Sequence, residues 1–82
     1  MTSRTATRRT RPARLTFNDY AGLQNGRIAR LYHDRASIEF RGGSFVMEGP
    51  SGSHVLLGEK SSHERVAAHW ATFAAAPGNA RA

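Results

Sequence analysis

The sequence predicts an α+β fold: an antiparallel meander of three strands, or four, packed against one C-terminal helix, behind a disordered basic N-terminal arm. Three observations carry this. Apolar residues alternate with polar ones between residues 36 and 58, broken by glycine-rich turns. The period then changes to that of a helix in an alanine-rich stretch after Ser61. Finally, Arg4, Arg8, Arg9, Arg11 and Arg14 stand in the first 14 residues with no acidic residue before Asp19.

Residues 1–14 hold almost nothing to bury and read as the disordered arm. The domain is expected over 15–78, with 79–82 as a frayed tail. Within it, TFNDYAGLQNG (16–26) supports two readings. Asn18 can cap a short helix carrying Tyr20 and Leu23 and stopped at Asn25-Gly26, or Asn25-Gly26 can turn a hairpin. Gly22 weakens both, and an irregular segment or single helical turn is the expectation.

RIARLYH (27–33) has strand composition, yet Ile28 and Leu31 fall on opposite faces unless a bulge shifts the register. ASIEFR (36–41) alternates cleanly, with Ile38 and Phe40 on one face. Gly42-Gly43 supplies a tight turn, and SFVME (44–48) follows with Phe45 and Met47 inward. After the turn GPSG (49–52), the strand SHVLLG (53–58) is expected to place Val55 and Leu57 inward and Leu56 on the other face. Ser61 and Glu64 form a capping box. Val66, Trp70 and Phe73 make the apolar stripe of the helix, which Pro77-Gly78 ends. Two layers this small leave one sheet face and one edge uncovered, which points to a homodimer.

Of 82 residues, twelve are basic and six acidic, for a net charge of +6. Residues 1–18 contribute +5 and residues 19–82 only +1, so the basicity belongs to the arm. Eleven of the twelve basic residues are arginine, whose planar fork suits phosphate. The absence of cysteine excludes disulfides and thiolate metal sites. No apolar run approaches the roughly 20 residues of a membrane span, and the N-terminus lacks the apolar core of a secretory signal. The cytoplasm is the expected location, with no membrane partner.

His33, His54, His63 and His69 do not fall into a metal-ligand spacing, so no metal is expected. No serine lies in a nucleophile motif, and a domain this small seldom encloses a pocket. Neither an enzyme nor a cofactor is expected. Hairpin turns account for the glycines of RGGS and GPSGS, which lack the rest of a phosphate-binding loop.

The arm and its supports remain. The candidate nucleic-acid-binding residues are Arg4, Arg8, Arg9, Arg11 and Arg14, with Arg30, Tyr32 and Arg41 on a solvent-facing sheet surface. Glu39 lies among the last three and opposes them. If 16–24 were helical, the element order would resemble that of a double-stranded-RNA-binding domain. That family opens its last helix with phosphate-gripping lysines. The matching stretch here reads EKSSHERVAAHWA, where Glu59 and Glu64 oppose Lys60 and Arg65, and the chain is assigned to no family.

The leading expectation is a small accessory protein that binds nucleic acid, DNA or RNA, largely without regard to sequence. The alternative is a protein-interaction module, such as a small inhibitor of the phage or plasmid type, acting through its sheet edge or helix face. A small packaging protein holding a genome with its basic arm is a third.

Overall fold

The structure is a computed structural model and describes residues 13–79. Arg4, Arg8, Arg9 and Arg11, with most of the expected arm, therefore lie outside the described residues.

Thr16 begins the first element. Its side chain accepts a hydrogen bond from the Asp19 backbone N–H at 3.1 Å, and Asp19 accepts one from the Thr16 N–H at 3.1 Å. This reciprocal cap satisfies two of the donors that a helix start leaves open. Helix α1 then runs Phe17–Gln24 and ends at Asn25 and Gly26. A two-turn helix thus replaces the expected irregular segment, and Thr16 rather than Asn18 is its cap. Gly22 is what allows the chain to return. A Cβ there would lie 2.6 Å from Ile28 Cδ1, and the Ile28 N–H donates to the Gly22 carbonyl at 2.9 Å.

That return settles the conflict between Ile28 and Leu31. Residues 27–30 are not strand; Ile28 packs back toward α1, and β1 is only Leu31–His33. Three further strands follow, β2 Ala36–Arg41, β3 Ser44–Gly49 and β4 Gly52–Leu57. They form a four-stranded antiparallel sheet in the order β1-β2-β3-β4. Each hairpin has a two-residue turn, at 34–35, 42–43 and 50–51. At the central turn Gly42 and Gly43 both take positive φ, 61° and 80°, as the right-handed twist of a hairpin favours.

The register places Ile38 opposite Met47 and Phe45 opposite Leu56. Ala36, Ile38, Phe45, Met47 and Leu56 are all buried on the inner face. Val55 and Leu57 are 57 % and 55 % exposed, so the expected facing of β4 is reversed. A single-turn 3-10 helix, Gly58–Lys60, leads into α2, His63–Ala75. Ser62, not Ser61, caps α2, accepting from the Arg65 N–H at 3.2 Å. Val66, Trp70 and Ala74 form the buried stripe at four-residue spacing, with Phe73 partly buried beside it. Two helices thus cover one face of the sheet, where one was expected.

Aromatic contacts join the layers. Tyr20 stacks on Phe45 with centroids 5.2 Å apart, and Phe40 tilts against Phe45 at 4.8 Å. The Tyr20 hydroxyl donates to the Ser61 carbonyl at 2.8 Å, tying α1 to the start of α2. His63 Nε2 lies 2.7 Å from the Leu15 carbonyl. A carbonyl only accepts, so this nitrogen carries the proton. Ala13 and Leu15 are buried, so the packed chain begins two residues before the expected boundary.

The C-terminal boundary is also displaced. Asn79 was expected in the frayed tail but is fully buried. Its Nδ2 donates to the Phe73 carbonyl at 2.9 Å, its Oδ1 accepts from the Ser51 N–H at 3.1 Å, and its carbonyl accepts from the Arg35 N–H at 3.1 Å. One residue thereby joins the end of α2 to two hairpin turns. Gly49 leaves room for it, since a Cβ at 49 would collide with Asn79 Oδ1. Asn79→Ala strands the Ser51 donor and should cost about 2 kcal/mol. Urea denaturation should show a lower midpoint at an unchanged slope.

Candidate functional site

The outer face of the sheet carries the side chains that alternate with the core. Tyr32 comes from β1, Glu39 and Arg41 from β2, Val46 and Glu48 from β3, and Val55 and Leu57 from β4. Arg30, just before β1, reaches the same face, where its Nη2 donates to Glu39 Oε1 at 3.0 Å. Arg30, Tyr32 and Arg41 thus share the outer face of the sheet.

Glu39 sits at their centre and decides what they can do. Its side chain is only 13 % exposed. Oε1 takes Arg30, while Oε2 faces Arg41 Nη1 at 2.9 Å, out of line for a hydrogen bond. Arg41 Nη2 also lies 3.6 Å from Glu48 Oε2. The Glu39 carboxylate, with a smaller contribution from Tyr32, pushes the Arg30 guanidinium above its usual range. Two arginines and two glutamates therefore close a neutral chain of ion pairs. A phosphate arriving here must compete with carboxylates already in place. Of the two cations, Arg41 is the more open, with its side chain 59 % exposed.

Arg14 lies elsewhere. It is exposed and lines a shallow hollow with Ala13, Leu15, Thr16, Ala67 and Ala68, on the helical side of the molecule. The root of the arginine-rich segment and the Arg30–Tyr32–Arg41 group are therefore on opposite layers. Residues 13–79 contain seven basic and six acidic side chains, for a net charge of +1. The excess charge of the chain lies in the terminal residues beyond them.

Among the described residues, no three His, Asp or Glu side chains converge as metal ligands. His63 is engaged with Leu15, Phe17 and Tyr20. His54 and His69 stack on each other with centroids 5.1 Å apart, joining β4 to α2 beside a hollow lined also by Thr72, Phe73 and Ala76. Among the described residues, no helix is long and apolar enough to cross a membrane.

The sequence reading missed the exposed pair Val55 and Leu57, which lie on the outer face with Val46 beside Val55. Hairpin parity was the available signal, because a two-residue turn dictates which residues of adjacent strands share a face.

Because the pairs around Glu39 are partly open to solvent, Arg41→Ala should cost less than about 1 kcal/mol in urea denaturation. The element order α1-β1-β2-β3-β4-α2 has one strand more than the order considered from the sequence. No protein-family model, no curated protein and no solved structure matches this chain.

Proposed function

We propose that this protein binds nucleic acid through the phosphate backbone, without catalysis, and that its N-terminal arginines make the principal contacts. The observation that carries this reading is the separation of charge. Arg4, Arg8, Arg9 and Arg11 meet no acid within the first twelve residues, while the folded residues 13–79 sum to +1. Such a segment gains little from packing and much from releasing the counterions condensed on a nucleic acid. Contacts of this kind position a protein on its target without reading bases. Arg14, exposed at the edge of the folded body, extends the row.

Arg30, Tyr32 and Arg41 play a subordinate part in this reading. Their face is neutralised by Glu39 and Glu48, which supports weak engagement of phosphate at most. Twelve residues fully extended span at most about 40 Å, so the segment can follow a backbone well beyond the folded body.

The test is a titration of the full chain against duplex DNA, single-stranded DNA and duplex RNA at several salt concentrations. Four or five arginine contacts predict a log–log slope near −4 on B-form DNA. Replacing Arg4, Arg8, Arg9 and Arg11 together by alanine should remove most of that slope. The pair Arg30→Ala and Arg41→Ala should change the affinity by about twofold or less. Absence of binding at physiological salt, or a slope untouched by the fourfold replacement, would defeat the proposal.

A further inference from the structure

We infer that the free edge of β4 pairs with the same edge of a second copy of this chain, joining two sheets into one across a two-fold axis at Val55. This contact is independent of nucleic-acid binding, and the backbone of β4 points to it. The Gly58 N–H donates to the Gly43 carbonyl at 2.9 Å, continuing the β3–β4 ladder beyond its last strand pair. In an antiparallel ladder, hydrogen-bonded residues alternate along each strand. Gly58, Leu56, His54 and Gly52 therefore turn their backbone groups to β3. Ser53, Val55 and Leu57 turn theirs to the edge. Among the described residues, no hydrogen bond from outside the ladder reaches the backbone of those three.

Edges left in this state are usually defended by charge, proline, a bulge or shortness. At the opposite edge β1 is only three residues long. The six residues of β4 include no acid, lysine, arginine or proline. That chemistry selects the occupant. The arginine-rich N-terminal segment offers mostly arginine and threonine side chains to such a strand, with little apolar beyond Met1 and Ala6. A second β4 offers a matching one, and self-pairing sets no like charges against each other.

With the axis at Val55, the outward backbone groups of Val55 meet those of the partner's Val55, and Ser53 meets the partner's Leu57. The largest number of outward groups is then paired. Val46 already lies opposite Val55. The pairing extends this into an unbroken apolar rib across the outer face, running from Val46 through both copies of Val55 to the partner's Val46. It covers side chains now 57 % and 55 % exposed at Val55 and Leu57. On the inner face, the partner's Leu56 comes beside His54, at the mouth of the hollow lined by Phe73 and Ala76. Both margins of β4 are incomplete in one copy, and one symmetric contact completes both.

Sedimentation of the full chain should give a dimer of the 9.0 kDa subunit, with little dependence on salt because no acid, lysine or arginine enters the contact. Val55→Pro deletes an N–H that the β3 ladder does not use and should yield a folded monomer. Val55→Lys keeps that N–H but places two ammonium groups at the axis, and it too should be monomeric. Hydrogen exchange should show slow amides at Ser53, Val55 and Leu57 in the parent, and fast ones at Ser53 and Leu57 in Val55→Lys. A parent chain that stays monomeric at about 100 µM overturns the inference. So does a dimer that persists in folded Val55→Lys, or fast exchange at these amides in a dimeric parent.

Discussion

Everything in this domain depends on the register imposed by three turns of equal length. The two-residue turns begin at 34, 42 and 50, eight residues apart. A two-residue turn always pairs an odd position with an even one, so the inward set changes parity from strand to strand. Leu31 on β1, Ile38 on β2, Phe45 and Met47 on β3, and Leu56 on β4 follow that rule and meet on one face. Phe45 stands where they converge, touching Tyr20 above and Phe40 beside it. A one-residue slip at any turn would turn an entire strand outward.

The same rule explains what could be read in advance. The inward sets of β2 and β3, the stripe of α2 and the uncovered sheet face were legible because each follows from local alternation or helical period. The facing of β4 was not, because VLL is apolar on both sides and local alternation cannot choose. Parity carried through the turn at 50–51 would have chosen Leu56. Thr16 was hidden as a cap because Asp19 is a less familiar partner in a capping box than glutamate, and because Gly22 argued against a helix. The space Gly22 leaves for Ile28 is a tertiary fact with no local signature. The burial of Asn79 belongs to the same class, since its partners stand on distant turns.

The candidate site divides in a similar way. Its residue types and shared face were visible in the sequence, and so was the intrusion of Glu39. The strength of that intrusion was not visible, since it rests on one largely buried carboxylate reaching two guanidiniums. Positive charge is concentrated toward the ends of the sequence: residues 13–79 are nearly neutral and the residues beyond them are strongly cationic. Solvent ions can modulate the latter while leaving the packed body almost untouched, because the core has no charged member.

The clasp at Asn79 also has a consequence for biosynthesis. Its bond to Ser51 spans 28 residues, and the His63 and Tyr20 bonds span 48 and 41. A nascent chain therefore emerges with its hairpins able to pair early, since their partners are neighbours in sequence. The joint between the second helix and the sheet has to wait until residue 79 has left the ribosomal exit tunnel. Closure of the domain thus follows the pairing of its hairpins, and the sheet spends that interval without the residue that fastens its turns.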